Sequence, residues 1–547
     1  EFSGTWLNSD SGLKDGRMTI PSNVTRMSRA IKQVSQDGIP QIVYYHFGVG
    51  TQGTRVSRII GGTIGEGLAD AVQAGYSFLA NNYNYGDEIF LIGFSRGAFT
   101  VRSIAGLVAQ IGLLTKKGIG SLPEIFQDVQ HRRDPRYIPK LPNVPFPNKP
   151  SADSARYAEQ LERRGLSRLD IQIKAIGVWD TVGSLGAPRV GWLTKVGLQS
   201  SESKEYSFYD TKLSNNIENA FQALALDERR AAFSPAVWEK PEGNRTTLRQ
   251  VWFPGVHSNI GGGYEDQELA NITLAWMMSQ LGQFLDLRED YLFEQADDND
   301  KYYRNRGQSI RPWSFGEIYN SLTGIYALGG GQTRTPGMYH ACDPSTGRPT
   351  DRPLRQTNEY IHPSVRTRIR LNGPGIADKS DYECRALTDS YKLVIDYGAQ
   401  NTRDGDPEVV WKLKFRDSDA VKILPEAPLW KLERELARRD PQTFDYVKHP
   451  PATGRSGGKG GRRKSGRPAS AAVEGSGRRS FVEDGGGRSG RRSLVEEKRF
   501  RSRSRALSID RETDIRESMP HRRPKDRTWW EGEDVGRRSP RRSSMRV

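Results

Sequence analysis

The stretch Glu88–Leu114 reads EIFLIGFSRGAFTVRSIAGLVAQIGLL. Through Ile92 it is short, apolar and β-prone; from Arg96 onward small and apolar residues recur at helical spacing. Between the two halves stands Gly93-Phe94-Ser95-Arg96-Gly97. A strand that simply turned back would use Asn-Gly or Pro, and a helix start gains nothing from glycines on both sides of a capping serine. Glycines two positions before and after Ser95 suit a turn too tight for flanking side chains, one that lifts a single hydroxyl above the end of a sheet. The expectation is a buried strand over Glu88–Ile92, an elbow at Ser95, and a helix over Arg96–Leu114. Ser103–Leu114 is the chain's nearest approach to a membrane span, but falls short of the roughly 18 residues required and reads as a buried helix.

Working outward, short β-type runs alternate with helical stretches over the first 290 residues. Gln41–Phe47 (QIVYYHF) reads as a strand ending at the glycine-rich GVGTQG, and Ile64–Asn81 as a helix. Ile171–Trp179 (IQIKAIGVW) and Leu248–Phe253 (LRQVWF) are further apolar runs. Ser214–Leu226 between them, and Glu268–Phe284 after them, read as helices. Strands this apolar are buried on both faces, so the pattern predicts an α/β fold with a mostly parallel central sheet between helical layers. Gly118–Arg164, rich in Pro, Arg and Lys, reads as an insertion or lid. The expected organisation is a catalytic core over 1–290, a less regular accessory region packed on it over 291–448, and a disordered tail over 449–547. A strand pair is expected near Tyr391–Tyr397 and Val409–Phe415.

Charge divides the chain in the same place. The 547 residues carry 82 Lys and Arg against 66 Asp and Glu, a net +16. Residues 451–547 hold 27 basic and 13 acidic groups, leaving 55 and 53 in the first 450. The basic character therefore belongs to the tail, and specific DNA binding by the folded part is not expected. Two cysteines, Cys342 and Cys384, give no disulfide framework and favour a reducing compartment. The expected location is cytoplasmic, peripheral at membranes. The opening EFSGTWLNSD lacks a methionine and reads as a clipped N-terminus, ahead of which a targeting signal could have stood.

A serine that performs acyl transfer needs a base, a group to orient that base, and donors for the oxyanion. In α/β-hydrolases these follow in the chain order Ser, acid, His, on loops beyond strand ends. Asp180 ends the Ile171–Trp179 run in GVWDTVGSLG, and His257 follows the Leu248–Phe253 run in PGVHSNIGGGY. Ser95, His257 and Asp180 are therefore the candidate nucleophile, base and orienter. Asp180 also suits a helix cap for a segment starting at Thr181. His46, which ends a β run before glycines, is the rival base. The backbone N–H of Arg96 is the first candidate oxyanion donor, and Gly4 and Thr5 in Ser3–Trp6 supply the second. Gly48, Gly50 and Thr51, with Phe94, are candidate pocket-lining residues, and contact with a phosphate is the alternative for the GVGTQG loop. No His/Cys cluster has metal-ligand spacing, so neither metal nor organic cofactor is expected.

GFSRGAF (Gly93–Phe99), VWDTVGSLG (Val178–Gly186) and PGVHSNIGGGY (Pro254–Tyr264) together resemble an α/β-hydrolase family widespread in fungi and bacteria that includes the phospholipase effectors of bacterial type VI secretion. ALALDERRAAFSPAVW (Ala223–Trp238) and NITLAWM (Asn271–Met277) are similar to it as well, and the likeness runs from about Phe2 to Phe284. The resemblance implies a Ser-Asp-His triad falling on Ser95, Asp180 and His257, and a phospholipid or other carboxylic ester as substrate. Two positions depart from the family pattern: Ser3 stands where it has Asp before Gly-Thr, and Asn259 where Asp is frequent.

The tail repeats basic residues two or three positions before a serine, at Ser465, Ser480, Ser493, Ser508, Ser539 and Ser543. These suit basophilic kinases, and the basic excess suits an anionic membrane surface or RNA. A solvated extension with no partner is the plain alternative. Beside the serine esterase or lipase, the competing function is a non-catalytic hydrolase-fold scaffold that holds anionic partners through this tail.

Overall fold

The structure is a computed structural model that describes residues 13–14, 17–18, 20–46, 64–182, 212–324, 331–343, 349–398, 407–415 and 418–453. Among the described residues its centre is a five-stranded sheet: β1 (Phe90–Phe94), β2 (Ile173–Trp179), β3 (Ile217–Ala225), β4 (Thr247–Phe253) and β5 (Glu359–Ile361). The strands lie side by side in chain order and every pairing is parallel. The fold is α/β, with a mostly parallel sheet flanked by helices.

Alternation along the strands feeds two apolar layers. Ile92 and Phe94 of β1, Ala175 and Trp179 of β2, and Phe221 of β3 join one cluster with Met277 and Leu281. Those two belong to the helix Glu268–Leu281. Leu91, Ile176, Val178 and Ala220 join the other, with Val101, Ile104 and Val108 of the helix Arg96–Ile111. Gly177 in β2 keeps the first layer close, since a Cβ there would stand 2.8 Å from the Met277 sulfur. The Pro-rich stretch carries two helices, Leu122–Gln130 and Ala155–Arg163, whose Ile125, Phe126, Val129, Tyr157 and Leu161 are buried in the second layer.

Three expectations need correction. Ser214–Leu226 is not a helix; its Ile217–Ala225 portion is the central strand β3. An alanine-rich run favours helix locally, but pairing on both edges and burial on both faces outweigh that preference. Gln222 is buried there and bonds Thr181 Oγ1 (2.6 Å) and Gln250 Oε1 (2.9 Å), satisfying an amide that would otherwise be expensive inside a sheet. Residues 41–46 form no regular strand; Ile42 is 78% exposed and Gln41 instead bonds the loop at Asp286. The helix after Ser95 stops at Ile111, where Gly112 adopts φ 67° against the Arg168 carbonyl, and Leu113–Leu114 pairs with Ser167–Arg168.

The strand pair near Tyr391 is present as Tyr391–Asp396 against Glu408–Leu413, with Ile423–Pro425 as a third antiparallel strand. Strand β5 also comes from this later part of the chain and joins the central sheet beside β4. Among the described residues, no helix is long and apolar enough to cross a membrane.

Candidate active site

Ser95 sits between β1 and the helix Arg96–Ile111 with φ 59° and ψ −121°, a left-handed backbone that a non-glycine residue adopts only when its surroundings force it. The forcing contact is visible at Gly93. A Cβ there would stand 2.6 Å from the Gly97 carbonyl oxygen and 2.7 Å from Ala98 Cα and N, so the strand end and first helical turn can touch only without a side chain. Asp180, directly after β2, also has positive φ, at 40°.

His257 follows β4 and begins a five-residue helix, His257–Gly261. Gly255 (φ 114°) makes the turn before it. Asp227 pins that turn by accepting from the Gly255 N–H (2.6 Å) and the Tyr382 hydroxyl (2.8 Å). Asn259 accepts from the Val256 N–H (3.1 Å) and donates to the Glu317 carbonyl (2.9 Å). An amide can do both, whereas an ionised aspartate could only accept. Glu228 accepts from the His257 N–H (3.2 Å), and its carboxylate is gripped by Arg230 (2.8 Å).

These three strand ends bring the predicted side chains together. His257 Nε2 lies 2.8 Å from Ser95 Oγ, and His257 Nδ1 lies 2.6 Å from Asp180 Oδ2. The imidazole is packed between the Phe94 ring (4.6 Å) and the edge-on Phe233 ring (4.9 Å). Asp180 does not cap a helix at Thr181 within the described residues. Its Oδ1 accepts from the Ala225 N–H (3.0 Å), and both oxygens meet Arg334. Burial alone would raise the Asp180 carboxyl, but Arg334 and the His257 hydrogen bond hold it well below the usual carboxylate range. Burial lowers the His257 imidazole despite the opposing pull of Asp180, which favours a neutral ring.

The Arg96 N–H follows Ser95 at the start of the helix. Gly4, Thr5, Gly48, Gly50 and Thr51 lie outside the described residues. Arg334, Glu228 and Phe233 join the site without a motif that marks them. Nothing local marks an arginine whose partner is 154 positions away.

Residues 2–280 match the model of the family described as "T6SS, Phospholipase effector Tle1-like, catalytic domain". The chain belongs to that family. The Tle1-like match covers Ser95, Asp180 and His257 and ends before the segment that supplies Arg334. A Saccharomyces cerevisiae relative, "Uncharacterized protein YEL023C", is 26% identical over 210 residues. That alignment takes in 36% of this chain and 27% of the yeast protein, so the shared part spans about a quarter of that relative's length.

Proposed function

We propose that this Tle1-like chain is a serine hydrolase of lipase or phospholipase type, cleaving carboxylic esters through an acyl-enzyme. One observation carries the reading: the unbroken hydrogen-bond relay from Ser95 Oγ through His257 to Asp180, at 2.8 and 2.6 Å. In this mechanism Nε2 takes the Ser95 proton as the hydroxyl attacks the ester carbonyl, then returns it to the leaving alcohol. Asp180 accepts from Nδ1–H throughout, which keeps Nε2 free as the base. The Arg96 N–H is the oxyanion donor of this mechanism; the candidates for the second donor, Gly4 and Thr5, lie outside the described residues. Water then repeats the sequence on the acyl-enzyme and releases the acid. Membership of a phospholipase effector family supports lipid as the substrate class.

The test is hydrolysis of diacyl phospholipid vesicles and of short-chain esters by the full chain, with release of fatty acid measured. Release that disappears in Ser95→Ala supports the proposal. A folded chain that releases no acid from any ester, while still binding anionic vesicles, supports the scaffold instead. The basic tail is proposed as the tether that brings the hydrolase to an anionic surface, each Lys or Arg near the lipid contributing about 1 kcal/mol.

A further inference from the structure

A carboxylate that only orients an imidazole is adequately served by neutral donors. Asp180 has more. Arg334 Nη1 donates to Oδ1 (2.5 Å) and Nη2 to Oδ2 (3.0 Å), a two-point clamp. The same nitrogens donate to the carbonyls of Ala225 (2.7 Å) and Phe233 (2.8 Å). Asp180 is wholly buried and Arg334 is 4% exposed. One guanidinium thus ties together the carboxylate, the end of β3, and the turn whose Phe233 ring packs on the imidazole.

We propose that Arg334 is a positioning residue of the reaction: it keeps the buried Asp180 ionised and sets, by its charge, how acidic the medium must be before the His257–Asp180 pair takes up a proton. This rests on the serine-hydrolase reading above. Without a cation, a fully buried carboxylate gains its proton readily, and a protonated Asp180 could no longer receive the Nδ1 proton. With the cation, protonating either member places a further positive charge beside Arg334. Removing Arg334 therefore raises the proton affinity of the pair whichever member holds the proton, and the direction of the effect needs no assignment to one residue.

Among the described residues, the other charged and titratable groups facing the pair are Glu228, Arg230, Tyr339 and Asp227. Glu228, against the His257 N–H, stays ionised and is offset by Arg230. The Tyr339 hydroxyl, near Arg334, is pushed up to about 12 by burial and stays neutral. Asp227, behind the Gly255 turn, is raised to about 6 by burial and titrates in the same range, so it needs its own control.

The experiment is the pH dependence of kcat/KM on a soluble ester, with fluorophosphonate labelling of Ser95 as a parallel readout. The variants are Arg334→Met, Arg334→Lys and Asp227→Asn, each checked for folding by circular dichroism. The unaltered chain should show an acid limb below the ordinary histidine value of 6.5. Arg334→Met should move that limb up by about one unit or more, the size expected for an opposite charge at this range. Arg334→Lys should hold the limb near its native position while lowering kcat, because an ammonium restores charge without the two-point fork. Asp227→Asn should leave the limb in place. Arg334→Met that loses activity equally at all pH values would overturn the proposal, as would a limb that moves in Asp227→Asn. Should Arg334→Met not fold, a limb displaced in Arg334→Lys decides against it. Absence of labelling in the unaltered chain defeats the hydrolase reading and this proposal together. Labelling at Ser95 with an unmoved limb defeats this proposal alone.

Discussion

Replacing Gly93 with alanine tests whether the elbow, rather than the mere presence of a serine, makes the site. The new Cβ would lie 2.6 Å from the Gly97 carbonyl oxygen, against about 3.4 Å for ordinary contact, so the helix start must move by about 0.8 Å. The obstructing atoms are backbone, so no side chain can swing aside. Such a shift stretches the Ser95 Oγ to His257 Nε2 contact from 2.8 Å toward the limit of a hydrogen bond. A misplacement near 1 Å costs on the order of 100-fold in rate, and overpacking costs about 1–3 kcal/mol in stability. Gly106→Ala, in the same helix, is the matched control. Nothing lies within 4 Å of its added Cβ, so up to about 1 kcal/mol of helix propensity is gained and the rate is kept. Fluorophosphonate labelling rates and thermal midpoints of both variants are the assay. A folded Gly93→Ala protein that labels as fast as the unaltered chain would show that the Gly93–Gly97 contact does not set the position of Ser95.

Other outcomes follow from the same geometry. His257→Ala should lower ester turnover by on the order of 10,000-fold while His46→Ala leaves it near native, since Ser95 meets the His257 ring; steady-state kinetics that show the reverse would transfer the role to His46. Burial, opposed by the Ser314 N–H and reinforced by Asp266, pushes Glu268 up to about 7. The native state therefore binds this proton more tightly than the unfolded chain between about pH 4.5 and 7, and its contribution to stability grows as pH falls through that window. Glu268→Gln should accordingly shrink the gain in thermal midpoint between pH 7.5 and 5.5, and an unaltered gain would show that another group sets it. Ending the chain after Lys459 keeps Thr453, whose Oγ1 accepts from the Ile395 N–H (2.8 Å), and should weaken flotation with anionic vesicles while sparing soluble-ester turnover. Equal flotation of the shortened chain would remove the tether.

The elbow was legible because its strand, glycines and helix are contiguous, so period and steric demand can be read from one short segment. Asp180 and His257 were legible for a related reason, each lying just beyond an apolar run with a recognisable end. Ser214–Leu226 was misread because alanines report helix propensity, while the need for small residues inside a tightly covered sheet is a property of neighbours such as Met277. The Gln41–His46 segment misled in the opposite way: its β-branched and aromatic residues suit a strand, yet Ile42 faces solvent. Arg334 could not be found from sequence, because a long-range ion pair leaves no periodic or local trace. The stretch that carries it is also less regular than the core.

The most direct measurement is the location of the covalent adduct formed by a fluorophosphonate, mapped by peptide mass spectrometry on the full chain. One modified peptide should carry the adduct, on Ser95, lost in Ser95→Ala and slowed in His257→Ala. A folded chain that forms no adduct, or one whose adduct sits on another serine and persists in Ser95→Ala, would contradict it.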